Sequence, residues 1–286
     1  MNNIVWLASY PKSGNTWVRI VLQNLIEKSH ADFNINELRL GSPTASCRHS
    51  FDEVVGMESG ELPRDLVRSL RPEVYTWLSD HAGGMEFKKI HDAYTVMPSG
   101  EPLIPARATR AVVYILRNPL DVCVSWAHFA GNLDMDRIIR QMNNKEYLGF
   151  EGRFCQRDQL PQELLSWSEH VTSWVDAPLP VLAIRYEDML SEPFKTVSRI
   201  VKHIGLQFEE KEISQALKCC SFSNLRAQEE AYGFIERPQK TKFFFRSGKT
   251  GSYRDALTKE QISQMIDDHY PTMLRFGYVS ESRRLL

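Results

Sequence analysis

Asn3-Ile4-Val5-Trp6-Leu7-Ala8-Ser9-Tyr10-Pro11-Lys12-Ser13-Gly14-Asn15-Thr16-Trp17 is the stretch on which the fold of this chain turns. Asn3–Ser9 is short, β-branched and aromatic, and reads as a buried strand. Tyr10 to Asn15 is turn chemistry. From Thr16 to Lys28 apolar residues recur at Trp17, Ile20, Val21 and Leu25, the spacing of a helix. Strand, tight loop and helix form the unit that aims unpaired N–H groups of a helix start at an anion. The N–H groups of Ser13 to Trp17 are expected to cradle a phosphate, and Lys12 adds a point charge. A loop for a magnesium nucleoside triphosphate needs G-x-x-x-x-G-K-[ST], with lysine after the last glycine and a hydroxyl on the metal. Here Lys12 precedes Gly14 and Asn15-Thr16 follows it, so the loop suits a phosphate other than that of Mg-ATP. The plain alternative is a turn with one exposed lysine.

Three more strands follow: Glu86–His91, Ala111–Leu116 and Val181–Arg185, the second being the strongest in the chain. A helix is expected after Arg117-Asn118-Pro119, with proline in its first turn, and another near Pro193–Ile204. Strands alternating with helices predict an α/β protein with a central parallel sheet and helices on both faces. Ligands of such sheets lie beyond the carboxyl ends of the strands. No linker or repeat divides the chain, so a single domain over 1–286 is expected, with insertions at about 31–85, 129–166 and 229–245.

Composition sets the outer bounds. The chain has 286 residues, 35 Lys+Arg against 36 Asp+Glu, and 42% hydrophobic residues. It is long enough to bury a substantial core, and a net charge of −1 excludes holding nucleic acid by bulk positive charge. Five cysteines without a C-x-x-C form neither a disulfide framework nor a zinc site, and the simplest reading is reduced thiols in the cytoplasm. The first apolar run is broken by Pro11 and Lys12, too short for a signal segment or a membrane span. No histidine falls in a metal-binding spacing, so no metal is expected.

Three further segments carry chemistry. Arg117 stands at the end of the strongest strand, and Ser125 lies one to two helical turns beyond; pairing of Arg117 with Asp121 is the plain alternative. From Arg237 to Arg254 there are six Lys/Arg and no Asp or Glu, with Gly248 and Gly251 allowing close approach of backbone to an anion. Phe243-Phe244-Phe245 beside these charges implies a partly buried site. Lys89 and His91, two apart on a strand, share a face, and a neutral histidine there is a natural general base.

Together these segments resemble the sulfotransferase family that uses 3′-phosphoadenosine 5′-phosphosulfate (PAPS) and releases its desulfated form, PAP. Tyr10 to Trp17 looks like the family's 5′-phosphosulfate loop, Arg117 to Ser125 its 3′-phosphate motif, and Arg246 to Arg254 its R-x-G-x-x-G loop. The resemblance implies a P-loop-like three-layer fold and a set of roles. Lys12 would contact the bridging oxygen and the 5′-phosphate, and Ser13, Gly14, Asn15 and Thr16 would bind that phosphate. Arg117 and Ser125, with Arg246, Ser247 and Gly248, would hold the 3′-phosphate. Trp17, Tyr186, Ser221 and Phe222 would enclose adenine. His91 would be the catalytic base, with Lys89 where the family's second lysine sits.

The chain departs from the family pattern at Asp92-Ala93 after the histidine, at Ser252-Tyr253-Arg254, at Cys220 and at Thr258-Lys259. The last removes the familiar dimer signature and leaves monomer or homodimer open. The short N-terminus looks more like compact bacterial members acting on small molecules or natural products. The expected reaction moves a sulfuryl group to a hydroxyl, or less readily an amine, of a small, mostly apolar acceptor, with neither membrane nor nucleic acid as partner. Tyr75, Trp77, Phe129, Tyr147, Phe150, Phe154, Tyr232 and Phe234 are the candidates to enclose it. A P-loop nucleotide kinase and a non-catalytic nucleotide-binding module are the alternatives.

Overall fold

Every residue of strand β1 (Ile4–Ser9) is buried, as expected for a strand covered on both faces. The computed structural model describes residues 2–29, 33–149 and 158–286. After β1 come helices α1 (Asn15–Glu27), α2 (Arg48–Val55) and α3 (Arg64–His81), then β2 (Glu86–Ile90), β3 (Thr109–Leu116), α4 (Pro119–Ala130) and α5 (Met135–Asn143). Strands β4 (Leu148–Gly149) and β5 (Gln162–Glu163) form a small antiparallel pair. The chain continues through α6 (Trp167–Val175), β6 (Val181–Arg185), α7 (Tyr186–Ser191), α8 (Pro193–Ile204), α9 (Glu210–Cys219), α10 (Phe222–Tyr232) and α11 (Lys259–Arg275).

The main sheet has the order β2-β1-β3-β6, and each neighbouring pair is parallel. Alternation along the strands assigns the two faces. Ile4, Trp6 and Ala8 join Val112, Tyr114 and Leu116 in one core, whereas Val5 and Leu7 join Ala111, Val113 and Ile115 in the other. The first core is completed from α4, α5, α6 and α11, the second from α1, α8, α9 and α10. This is the three-layer α/β arrangement expected from the sequence.

Boundaries differ in instructive ways. β3 begins at Thr109 rather than Ala111, because Thr109 pairs with Ile4 of β1; its hydroxyl donates to Pro105 O at 2.9 Å and receives the Trp6 indole N–H at 2.9 Å. His91 lies one residue past the end of β2. A short helix, α7, precedes α8. The stretch before β2 has a satellite core of its own, with Phe51, Val67 and Val74 around Leu160. Arg71 of α3 fixes that layer to the sheet through a two-pronged ion pair with Asp92, at 3.0 and 2.6 Å. No described helix is long and apolar enough to cross a membrane.

Candidate active site

The four parallel strands end together, and residues just past their ends meet in a common region: Pro11 after β1, His91 after β2, Arg117 after β3 and Tyr186 after β6, whereas Tyr10 turns into the core. A cavity of about 640 Å³ opens there. Its walls include Lys12, Gly14, Asn15, Thr16 and Trp17 from the first loop, with Lys89 and His91 from the end of β2. Arg117, Ser125 and Tyr186 line it from the middle of the chain, and Ser221, Phe222, Arg246, Ser247 and Gly248 from the C-terminal part. Ser13 is fully buried beneath the loop, and its Oγ has no partner among the described residues.

The loop conformation follows from its residues. Gly14 takes φ +102°, and a Cβ there would lie 2.7 Å from the Tyr186 ring; a Cβ at Gly248 (φ +61°) would lie 2.3 Å from Phe222. Both positions therefore need glycine. Lys12 is also left-handed, at φ 71°, a backbone state that costs a non-glycine residue about 1–3 kcal/mol. The Asn15 amide donates to Leu7 O at 2.8 Å and Ser9 Oγ at 3.2 Å, so its side chain braces the loop on β1. The Trp17 N–H is spent on Gly14 O at 3.1 Å, which shortens the expected cradle by one donor.

Lys12 Nζ stands 3.9 Å from the centre of the Phe129 ring and 4.7 Å from that of Phe244. Burial, reinforced by repulsion from Lys89 and Arg117, lowers its pKa to about 7. Arg117 lies 4.1 Å from the Tyr186 ring and donates to Lys12 O (3.1 Å) and Lys249 O (3.2 Å), tying the first loop to the last. Its Nε is buried without a partner among the described residues. Pairing with Asp121 does not occur: that carboxylate accepts the N–H groups of Gly251 (2.7 Å) and Tyr253 (3.3 Å) and clips the C-terminal loop to α4.

His91 Nδ1 lies 2.8 Å from Ser9 O. A carbonyl only accepts, so Nδ1 carries the proton and Nε2 is the basic nitrogen. Burial, then repulsion from Lys89, pushes the His91 pKa well below 6.5 and keeps the ring neutral. His170 supports it from behind, donating from Nε2 to His91 O at 3.0 Å while Nδ1 accepts the Tyr114 hydroxyl at 2.8 Å.

Glu236 is a site residue that the sequence reading did not find. It lines the cavity and accepts Arg19 Nη1 at 2.6 Å and Thr16 Oγ1 at 3.1 Å. Burial tends to raise its pKa, but Lys89 and Arg19 lower it on balance, so it is a carboxylate among cations. Only its position just before the acid-free run hinted at it. Of the aromatic residues expected around an acceptor, Phe129 lines the cavity, whereas Phe150 and Phe154 lie outside the described residues. Tyr75, Trp77, Tyr147, Tyr232 and Phe234 do not line it. Tyr75 is core, its hydroxyl bonded to Arg71 and Ala45 O, and Tyr232 projects outward at 78% exposure.

Cationic and N–H donors at the carboxyl ends of a parallel sheet, around a neutral histidine, give an α/β protein whose cavity is suited to an anion. Residues 2–276 match the sulfotransferase domain family, and the chain belongs to it. It is similar to flavonol 3-sulfotransferase of Flaveria bidentis, 26% identical over 278 residues, or 92% of this chain and 79% of that protein. Luciferin sulfotransferase of Photinus pyralis is 25% identical over 269 residues, 90% of this chain and 68% of that one. In fold it resembles a mouse sulfotransferase complexed with PAP (TM-score 0.60, 18% identity, 99% of this chain and 87% of that chain). It also resembles a retinol dehydratase in complex with androsterone and PAP (TM-score 0.62, 20% identity, 94% and 80%).

Proposed function

We propose that this chain transfers the sulfuryl group of PAPS to a hydroxyl of a small acceptor, releasing PAP and a sulfated product. The observation that carries this reading is the convergence of Lys12, Arg117 and Arg246 with His91 on one cavity. The donor set fits a doubly phosphorylated adenosine. Trp17, Phe222 and Tyr186 offer flat walls for a purine, and the cations and the α1 N-terminus offer charge for phosphates at two places.

His91 Nε2 takes the acceptor proton as the new oxygen–sulfur bond forms and the bond from sulfur to the phosphate oxygen breaks. General-base help of this kind is worth roughly 10²–10⁴-fold. Lys12 neutralises charge on the departing phosphate oxygen, an effect of roughly 10²–10³-fold when a preorganised partner is lost. Arg117, Ser125, Arg246, Ser247 and Gly248 grip the non-reacting 3′-phosphate and select PAPS over ATP. The acceptor lays an apolar face on Phe129 and Phe244, and the enzyme works in the cytoplasm.

Calorimetry with PAP and product mass analysis with PAPS test the reading. Tight PAP binding, much weaker AMP binding, and an added sulfonate on a hydroxylated acceptor are expected. His91→Ala should keep PAP affinity and lose turnover by at least a hundredfold. A chain that fails to bind PAP is not this enzyme.

A further inference from the structure

Beside His91 the cavity wall changes character. Phe129 and Phe244 are apolar, but Thr44, Ser46, Gln159 and Gln162 line the same cavity. These four form one hydrogen-bonded shelf. The Thr44 and Ser46 hydroxyls are 3.3 Å apart, Ser46 Oγ donates to Gln159 Oε1 at 3.5 Å, and Gln162 Nε2 donates to the same oxygen at 2.9 Å. Ser46 and Gln162 are almost wholly buried, at 3% and 2% exposure.

The shelf is bolted to the strand end that carries the base. Ala45 N–H donates to Lys89 O at 2.9 Å, and Ala93 N–H donates to Glu163 O at 2.7 Å. Glu163 N–H donates to Asp92 Oδ1 at 3.0 Å, and Asp92 is held by Arg71. Leu160 N–H donates to Ser46 O at 2.7 Å, joining the two halves of the shelf. Polar side chains so buried and so fixed are costly unless their remaining hydrogen-bonding capacity is met. Neither Gln159 Nε2 nor Gln162 Oε1 has a partner among the described residues. They offer one donor group and one acceptor to the cavity that His91 also lines.

Resting on the sulfuryl-transfer reading above, we infer that the acceptor is a hydroxylated ring of the glycoside class, bound with its apolar face toward Phe129 and Phe244 and its hydroxyl edge on the Ser46–Gln159–Gln162 shelf. A simple phenol supplies the ring face but leaves the Gln159 amide N–H group and Gln162 Oε1 unmatched, and sites built on such amides reject ligands that lack the partner group.

The test compares 4-nitrophenyl hexosides and pentosides with 4-nitrophenol as acceptors with PAPS, using fragment masses to place the sulfonate. The glycosides should be sulfated on the sugar with at least tenfold higher kcat/KM than the phenol. Gln159→Leu and Gln162→Leu should each erase most of that preference, chiefly through KM, while PAP affinity measured by calorimetry shows that the fold and donor site persist. A phenol used as well as the glycosides, a preference that survives both substitutions, or PAP-binding protein that sulfates no glycoside overturns the inference. Loss of PAP binding in the unaltered chain overturns the parent reading instead.

Discussion

The Lys12 ammonium is buried among cations, a tension that an anionic ligand should relieve. Its pKa is lowered to about 7 from an ordinary 10.5 by burial and by the neighbouring cations. An anionic ligand would raise it again, so above pH 7 the complex holds a proton that the free protein lacks. PAP affinity should therefore fall as pH rises from 7 to 9, with proton uptake visible when calorimetry is repeated in buffers of different ionisation heat. Lys12→Met should flatten that slope, and a pH-independent affinity in the unaltered chain would contradict the assignment. Glu236 works in the opposite sense, as a negative charge among the cations. Glu236→Gln should tighten PAP binding and lower the melting temperature, because buried Arg19 loses its charged partner; weaker PAP binding would contradict this. Lys12 and His91 were legible as cavity residues because one sits in a loop pattern and the other directly follows a strand. Glu236 was not, because its partners Arg19 and Thr16 are 217 and 220 positions away.

Among the elements, α4 does more than cover the sheet. Asp121 in its first turn holds the backbone of Gly251 and Tyr253, and Glu229 of α10 likewise accepts the N–H groups of Phe244 (2.6 Å) and Phe245 (2.9 Å). The basic C-terminal segment is thus fastened by two carboxylates before any ligand arrives. Hydrogen bonds to a charged group contribute about 1.5–3 kcal/mol each. Asp121→Ala should weaken PAP binding about tenfold or more while circular dichroism stays unchanged; equal affinity would show that the loop needs no clip. The strands were legible from unbroken apolar runs such as Ala111–Leu116, and their junctions from Pro11 and Pro119. The acceptor wall was not. Tyr75 looks like any exposed aromatic until Arg71 and Ala45 are found around its hydroxyl, and nothing local distinguishes Gln159 and Gln162 from surface glutamines.

Over the whole molecule, the cavity draws on residues from Pro11 to Gly248, and ligand binding in it should therefore be felt globally. PAP at a hundred times its Kd should add about 2.7 kcal/mol to the unfolding free energy. Hydrogen exchange should slow together at the loop after β1 and at the loop around Gly251; protection confined to one of them would break the link through Arg117. The layered architecture was foreseeable because alternation of strands and helices is a property of the sequence itself. The meeting of the first and last motifs followed only from the resemblance, since no spacing rule connects Lys12 with Lys249.

That meeting bears on how the protein is made. The guanidinium of Arg117 rests on two carbonyls, one near the start of the chain and one near its finish. A nascent polypeptide can lay down β1, β2, β3 and β6 while still attached to the ribosome, yet the second carbonyl has not been synthesised. Such an intermediate should bind PAP weakly, because Arg117 lacks one of its two anchors until the segment around Lys249 emerges and joins it.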